Sequence, residues 1–259
     1  MTTDKISARQ GIEWIRKGFA LFRKQPAELS MLFLLYMLLM FALSIIPLVG
    51  QLLPLLLVPC FSMAFMQACV EIEAGRKARP NLLLTAFRSP ALGTLLRLGV
   101  LYLLGAVLAV AASTLVDDGV FWKLMSGQLR ADEQDIPVGN LPLAMMFSAL
   151  IYVPFAMAFW HAAPLATWQK MGLFKAIFYS FFAVRRCGKA FLAYALGWIV
   201  VGIAVPAIIS ALLGLILGKA IVAIMLLMPL SVILTIVMYC SFYPTYLEVF
   251  DKVSPSDVQ

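Results

Sequence analysis

Few side chains that are capable of chemistry occur within the long apolar runs of this sequence. Three of them follow a proline by seven to ten residues: Gln67, His161 and Tyr239. An amide, an imidazole and a phenol can each donate and accept hydrogen bonds. We predict that these groups form a polar ring that contacts a lipid headgroup or another amphiphile. The alternative is hydrogen bonding between helices, typically worth about 0.6 kcal/mol in membrane bundles.

Three arginines occupy a second recurring position, shortly before an apolar run. Arg23, Arg88 and Arg185 each stand two or three residues before a proline or glycine. A guanidinium can hold a phosphate through two parallel hydrogen bonds, so we predict that these residues contact lipid headgroups. The alternative is that they orient the chain in the membrane, and one residue can serve both purposes.

The residue patterns of common catalytic sites are missing from the sequence. His161 is the only histidine, which excludes a metal site built from several imidazoles. The sequence contains no GxSxG, HExxH or GxxxxGK[ST] motif. Its cysteines form no CxxC pair and are typical of small buried hydrophobic residues: Cys60, Cys69, Cys187 and Cys240. We therefore predict a protein that is not an enzyme and that uses neither a metal nor a cofactor.

The composition identifies the medium in which this chain folds. Its residues are 63% hydrophobic and 13% charged, whereas a soluble domain is about 45–50% apolar and about 25% charged. A lipid bilayer accommodates such a chain, and a helix of about 20 apolar residues crosses it. Six stretches qualify as spans: Leu29–Val49, Leu52–Val70, Leu98–Val116, Leu141–Trp160, Ala190–Leu213 and Ala220–Ser241.

The distribution of basic residues predicts how the chain is oriented. The net charge is +7, with 20 Lys and Arg against 13 Asp and Glu. All but three of these cations fall in the N-terminal arm, in the second-to-third and fourth-to-fifth connections, or in the C-terminal tail. The positive-inside rule therefore places both termini in the cytoplasm. Topology and anionic membrane lipids explain the charge, so we predict lipid partners and no nucleic acid.

The residues before the first span do not form a signal peptide. The first 27 residues carry charges throughout and lack the apolar core of a signal peptide, so we expect the first span to remain in the mature protein.

The connection from Asp117 to Asn140 is acidic and contains an apolar patch around Trp122. It is either a lid or cation site, or a solvated loop with an aromatic anchor at the membrane interface.

A short pattern recurs three times along the chain. Each predicted unit has a lead-in segment, an outgoing span, a turn, and a returning span that contains Pro59, Pro154 or Pro229. The units cover about residues 8–75, 80–170 and 172–250 of a single transmembrane domain, 1–259. Every unit starts and ends on the same side, so the repeats are parallel and related by an axis along the membrane normal. The predicted fold is an all-α, polytopic membrane protein with six spans.

Two of the lead-in segments are predicted to be amphipathic helices. In the first, Ala8–Lys24, cations occupy one side, which suits the cytoplasmic membrane interface. The second, Leu173–Arg186, is much more apolar and is expected to be wedged beneath the bundle. The predicted apolar side of the first helix contains Ile12, Ile15, Phe19 and Phe22, with Trp14, Gly18 and Leu21 beside them.

Three segments of the chain resemble a known family. Arg9–Ile15, Gly18–Pro26 and Val153–Phe155 are similar to a family of uncharacterised six-span inner-membrane proteins of Gram-negative bacteria. This resemblance covers nearly the whole chain and implies an inner-membrane location. The layout is more distantly similar to the membrane domain attached to some glycerophosphodiester phosphodiesterases. The acid-base machinery of their catalytic barrel is missing from this sequence, so the resemblance does not imply their activity.

Two hypotheses from different functional classes follow. In the first, the protein binds or moves a lipid or other amphiphile, or supports envelope integrity, through a cavity enclosed by the three hairpins. In the second, it is a membrane scaffold that recruits protein partners. A polar-lined cavity that opens laterally between the units favours the first hypothesis. A closed bundle with a conserved exposed patch favours the second, and proline-bearing helices that pack solidly with no cavity would exclude transport.

Overall fold

Helices make up all the regular structure in the described part of the chain. The computed structural model describes residues 6–46, 50, 52–129, 139–217 and 223–250. Six helical segments within them are long and apolar enough to cross a membrane, as the sequence predicts. These segments are Pro26–Ser44, Leu53–Glu73, Leu92–Asp117, Leu141–Thr167, Gly188–Leu213 and Met225–Phe250.

The helices fall into three successive groups along the chain. The first third of the chain forms α1 (Ala8–Lys24), α2 (Pro26–Ser44) and α3 (Leu53–Glu73). The middle third forms a 3₁₀ turn (Pro80–Leu84), α4 (Thr85–Arg88), α5 (Leu92–Ala112), α6 (Thr114–Asp117), α7 (Val120–Met125), α8 (Leu141–Phe159) and α9 (Ala162–Thr167). The last third forms α10 (Leu173–Arg186), α11 (Gly188–Ile199), a π-helical turn (Val200–Ala204), α12 (Val205–Leu217), a second π-helical turn (Ala223–Leu227) and α13 (Met228–Phe250).

The bounds of several spans differ from the predicted ones, most clearly in the third and the sixth. The third begins at Leu92 and not at Leu98, so Arg97 lies inside α5, where it is exposed. A long cationic side chain near a helix end can reach the polar membrane surface while its stem stays in the apolar region. The sixth span continues to Phe250. The sequence predicts two short outer turns, Gly50-Gln51 and Gly214–Lys219; of the first, Gly50 is described and Gln51 is not. Residues 214–217 of the second belong to α12, and residues 218 and 219 lie outside the described residues.

The prolines of the returning spans lie within helices, as predicted. Pro59 is inside α3 and Pro154 is inside α8. Pro229 is the second residue of α13 and follows the second π-helical turn. A proline has no N–H to offer the carbonyl four residues earlier. That carbonyl belongs to Met225, which lies in the π-helical turn, where the hydrogen-bond pattern is already altered.

Each lead-in segment packs mainly against the unit that precedes it. Helix α1 lies against α11 and α13 of the third unit, the 3₁₀ turn and α4 lie against α3 of the first unit, and α10 lies against α8 and α9 of the second unit. This order is cyclic, as expected for parallel repeats around one axis. The units are not equivalent, however, because α3 is largely buried whereas the spans of α8 and α13 are mostly not. The threefold repeat therefore stays a prediction.

Helix α1 has the predicted bounds, and its buried face overlaps the predicted apolar side but is shifted towards Gly11 and away from Ile12. Its buried residues are Gly11, Trp14, Ile15, Gly18 and Leu21, whereas Ile12 is 44% exposed. A Cβ atom at Gly11 would overlap the carbonyl oxygen of Ala190, and one at Gly18 would stand 2.7 Å from Ser241 Cβ. The two glycines thus allow close approach to α11 and α13.

Helix α10 also packs through its small residues. Ala176, Ser180 and Ala183 are buried on the side that contacts α8 and α9. Phe174 is 80% exposed, and Phe178, one turn further along, is exposed as well. The phenylalanines therefore face outward, towards the expected lipid. The sequence predicts that this apolar segment is wedged beneath the bundle, whereas α10 packs against the outside of α8 and α9 and leaves its phenylalanine face exposed.

The predicted orientation can be tested with single cysteines, because all four native cysteines are buried. Ser126, after α7, and Lys77, after α3, are both exposed. We expect Ser126→Cys to react with a membrane-impermeant maleimide in intact cells, because the positive-inside rule places it outside. Lys77→Cys should react only after lysis. The reverse labelling pattern would contradict cytoplasmic termini.

Candidate functional site

A cavity of about 290 Å³ lies between the three returning helices. We call it the central cavity. Residues of α3, α8, α9 and α13 line it, together with Tyr102 of α5. Its volume is near the lower end of the range of about 300–1,000 Å³ that is typical of small-molecule sites, which are mostly apolar with a few polar groups. The polar side chains of its lining include Ser62, Tyr102, Tyr152, His161 and Tyr239.

His161 is buried at the junction between α8 and α9. Its backbone N–H donates to Ser180 Oγ at 2.9 Å, and its Nε2 lies 3.2 Å from Thr245 Oγ1. The Thr245 hydroxyl donates to the carbonyl of Phe242 at 2.6 Å, so its oxygen can accept from Nε2 in the tautomer that carries the proton there. In that tautomer Nδ1 is a lone-pair acceptor, and it has no hydrogen-bond partner among the described residues.

Stacked aromatic rings form the walls of the central cavity. The ring of Tyr239 stacks on that of Phe65, with centroids 4.5 Å apart, and Tyr102 stacks on Phe159 at 4.6 Å. The Tyr102 hydroxyl donates to the carbonyl of Phe159 at 3.2 Å. These contacts hold the rings in defined positions. The cavity therefore presents a fixed, largely aromatic surface, and His161 is part of its lining.

The three residues of the predicted polar ring do not meet at one place. His161 and Tyr239 line the central cavity, but Gln67 does not; its neighbour Met66 does. Consecutive helical residues point about 100° apart, so Met66 and Gln67 face different spaces. Counting from the prolines therefore located two of the three residues.

Gln67 lines a second cavity of about 320 Å³, which we call the basic cavity. It lies between the end of α3, the 3₁₀ turn with α4, and the end of α9. Arg88 and Lys170 are its two cations, and neither forms an ion pair within the described part of the chain. Its other lining residues are Asn81, Leu82, Thr85, Ser89, Pro90, Thr167 and Trp168.

The three predicted headgroup arginines lie on three different lead-in segments. Arg88 lines the basic cavity, whereas Arg23 and Arg185 are exposed on the last turns of α1 and α10. Their interpretation as lipid contacts stays a prediction. Lys170, which shares the basic cavity with Arg88, is missed by sequence reasoning because a single lysine in a short connection carries no distinctive pattern.

Glu71 lies one turn after Gln67 on α3, and its carboxylate is paired with Arg76. Gln67 Nε2 donates to Glu71 Oε1 at 3.3 Å, and Arg76 donates to both oxygens of the same carboxylate at 2.5 and 3.0 Å. The Glu71 carboxylate raises the pKa of Arg76 above its ordinary value. Gln67 Oε1 is buried and has no hydrogen-bond partner in the described structure.

A third cavity of about 230 Å³ lies between α1, the end of α3 and α13, and we call it the paired cavity. Lys17 and Lys24 line it together with Glu73 and Glu248. Lys17 forms an ion pair with Glu248, which also accepts a hydrogen bond from Trp14 Nε1 at 2.9 Å. Two cations thus face two acids in the paired cavity, whereas the lining of the basic cavity contains cations alone.

The outer connection contains an acid with a structural role. Asp117 is buried, and its carboxylate accepts the backbone N–H groups of Gly119 and Phe121 at 3.1 and 2.7 Å. It therefore holds the start of α7 in place. The acidic residues 132, 133 and 135 of the predicted lid or cation site lie outside the described residues. No group of three His, Cys, Asp or Glu side chains in the described ranges is placed to hold a metal ion.

Six apolar helices that surround buried polar groups define a multi-pass integral membrane protein. The chain is 36% identical over 258 residues to a protein of Burkholderia thailandensis named "Probable inner membrane protein BTH_II0599", and the alignment covers 97% of this chain and 94% of that protein. The chain belongs to this family of inner-membrane proteins of Gram-negative bacteria, which confirms the family and the membrane location predicted from the sequence. No family model and no solved structure matches the chain. The distant similarity to the phosphodiesterase membrane domain stays a prediction.

Proposed function

We propose that this protein binds an amphiphile within the membrane and that the apolar part of the ligand occupies the central cavity. The observation that carries this proposal is the cavity itself, which lies where the three returning helices meet. Aromatic and methionine side chains line it and suit an apolar ligand. The chemistry is binding without catalysis, in keeping with a sequence that has no recognisable catalytic motif.

The polar groups of the cavity define what else the ligand carries. The buried Nδ1 of His161 accepts hydrogen bonds and has no partner among the described residues. Leaving a buried acceptor unpaired costs about 1–3 kcal/mol. A ligand with a hydroxyl or amine group at this position recovers that energy. An amphiphile that combines an apolar body with such a donor therefore fits better than a plain hydrocarbon.

The alternative, a scaffold that recruits proteins within the membrane, has weaker support. A scaffold is expected to be a closed bundle, whereas here a cavity lies between the returning helices. The outward-facing apolar residues do not favour it either, because a lipid bilayer accounts for apolar side chains on the outer face of a membrane protein.

Filling the central cavity tests the proposal. Ala156 lines the cavity, whereas Leu150, on the same helix, is 67% exposed. We expect Ala156→Trp to lose most of the lipid that the wild-type protein retains after mild detergent extraction, because the indole occupies the space of the ligand. Native mass spectrometry measures the retained lipid, and Leu150→Trp is the matched control.

The outcomes of this experiment are distinct. Retention by wild type and Leu150→Trp with loss in Ala156→Trp is the expected result, provided that the melting temperatures of the three proteins agree. Equal retention in Ala156→Trp would remove the central cavity as the binding site. The absence of any retained lipid from all three proteins would contradict amphiphile binding altogether.

A further inference from the structure

The basic cavity has the properties of an anion site. Arg88 and Lys170 both line it, both are exposed, and no carboxylate belongs to its lining. Glu71, the acid that contacts Gln67, is held by Arg76 through two hydrogen bonds. The hydroxyl and amide groups of Asn81, Thr85 and Thr167 add hydrogen-bond donors. Two free cations with several neutral donors suit the oxygens of a phosphate group.

Gln67 adds a requirement that a simple anion does not meet. Its side chain lines the basic cavity, the residue is only 3% exposed, and its Oε1 has no partner within the described residues. The amide cannot reverse without cost, because Nε2 donates to the Glu71 carboxylate and the reversed amide would place oxygen against oxygen. The cavity therefore needs a ligand that carries anionic oxygens and also a hydrogen-bond donor.

The paired cavity shows that this charge pattern is not general to such sites. It also lies between a lead-in helix and the ends of two returning helices, but there Lys17 is paired with Glu248 and Glu73 accepts from Tyr243 at 3.0 Å. Two acids thus accompany the two cations of that lining, and one of the cations, Lys17, is paired within the protein. In the basic cavity, the cations and the acceptor are left for a ligand.

The geometry points to a phosphodiester headgroup that ends in a hydrogen-bond donor, which we propose as the ligand of the basic cavity. The phosphate lies between Arg88 and Lys170, and the terminal ammonium or hydroxyl group donates to Gln67 Oε1. Phosphatidylethanolamine and phosphatidylglycerol carry such groups. Phosphatidylcholine has the same phosphate, but its quaternary nitrogen has no N–H group and cannot make the second contact.

The two cavities are positioned to share one ligand. Met66 lines the central cavity and Gln67 the basic cavity; on α9, Pro164 lines the first and Thr167 the second. The two linings are therefore one residue apart along α3 and three residues, about one helical turn, apart along α9. The inference rests on the proposed function as far as the phosphate belongs to a lipid. A soluble phosphodiester with the same donor offers the same chemistry.

Headgroup competition tests this inference. Delipidated protein in detergent is supplied with equal amounts of dioleoyl phosphatidylethanolamine, phosphatidylglycerol and phosphatidylcholine, and native mass spectrometry measures which lipid is bound. We expect the wild type to prefer the first two lipids over phosphatidylcholine by about tenfold, the size of one hydrogen bond to a buried acceptor. A parallel arm supplies glycerophosphoethanolamine, which has the headgroup without the acyl chains.

The variants separate the two contacts. Arg88→Gln and Lys170→Gln should each weaken binding of all three lipids by about tenfold, because each removes a charge-assisted hydrogen bond to the phosphate. Gln67→Met, which nearly conserves volume, should make the three headgroups equivalent without losing the phosphate contact. Lys24→Gln, at the paired cavity, is the matched control and should behave as wild type. Melting temperatures in lipid-free detergent show that each variant is folded.

The results distinguish a failure of this inference from a failure of the proposed function. Lipid binding without headgroup preference, still blocked by Ala156→Trp, would overturn the headgroup site and leave the proposed function standing. Binding of glycerophosphoethanolamine that requires Arg88 and Gln67, without any lipid binding, would support the site and overturn the proposed function. Headgroup preference that survives Arg88→Gln and Gln67→Met would place the selection elsewhere and overturn this inference. The absence of binding in both arms would overturn it as well.

Discussion

Replacing Trp14 by alanine is expected to destabilise the protein by about 3–5 kcal/mol, the usual cost of removing a fully buried tryptophan side chain. Trp14 is completely buried between α1, α11 and α13. Its ring lies 5.0 Å from that of Phe191 and 6.0 Å from that of Tyr194, and its Nε1 donates to Glu248 Oε2 at 2.9 Å. Its removal leaves a large cavity and an acceptor with one partner fewer.

Thermal unfolding in detergent measures this effect. A loss of this size corresponds to a decrease of roughly 6–20 °C in the melting temperature. Trp14→Phe retains most of the ring packing and removes only the hydrogen bond to Glu248, so its decrease should be much smaller. Arg16→Ala is the surface control, because the Arg16 side chain is 72% exposed and forms only an i,i+3 ion pair with Glu13. Unchanged stability of Trp14→Ala would contradict the docking of α1 into the bundle.

Replacing Gly99 by leucine is expected to separate α5 from α3. A Cβ atom at Gly99 would overlap the carbonyl oxygen of Leu56 and would stand 2.8 Å from its carbonyl carbon. Both atoms belong to the backbone of α3 and cannot rotate away, so the two helices must move apart. We expect a loss of about 3 kcal/mol or more, which corresponds to a decrease of roughly 6–12 °C in melting temperature.

Gly93 offers a control on the same helix. It has open space around its missing side chain, with no heavy atom within 4 Å of a Cβ built there. Gly93→Leu should therefore leave the melting temperature unchanged or raise it slightly, since glycine within a helix costs about 0.5–1 kcal/mol relative to alanine. Similar losses in Gly93→Leu and Gly99→Leu would show that the effect does not come from the contact between α5 and α3.

The bounds of the helices show which features of the fold could be predicted from the local sequence. Helix α1 begins and ends where the sequence predicts, because its periodicity ends just before Pro26 and a proline favours a new helix start. The third and sixth spans are longer than predicted. Arg97 and the polar residues after Ser241 mark the edge of the apolar run, but a helix continues as long as its backbone hydrogen bonds are made, whatever side chains it carries.

The buried face of α1 could be predicted only in part from hydrophobicity. Trp14, Ile15 and Leu21 are buried as predicted, but Ile12 is 44% exposed and Gly11, outside the predicted side, is in contact with a neighbouring helix. Glycine has almost no apolar surface, so hydropathy assigns it no preference for the interior. Its contribution is to let two backbones approach, and that contribution appears only when the partner helix is in place.

The candidate site was predicted in part. Gln67, His161, Tyr239 and Arg88 all line one of two cavities, although the sequence assigned them to different groups. Arg88 and Gln67 meet because the 3₁₀ turn and α4 pack on α3. Asn81, Thr85 and Lys170 were missed, because polar residues in short connections are ordinary in any sequence and gain a role only from their neighbours.

The sequence by itself determined the solvent, the number of spans and the family of this protein. These properties are local or additive, because an apolar run long enough to cross a bilayer is visible without knowing what it packs against. Tertiary structure decided which polar groups share a cavity. A shift of one residue turns a side chain by about 100° around a helix, so the choice between Met66 and Gln67 at the central cavity depends on how α3 is rotated against α9 and α13. Packing of the whole bundle sets that rotation.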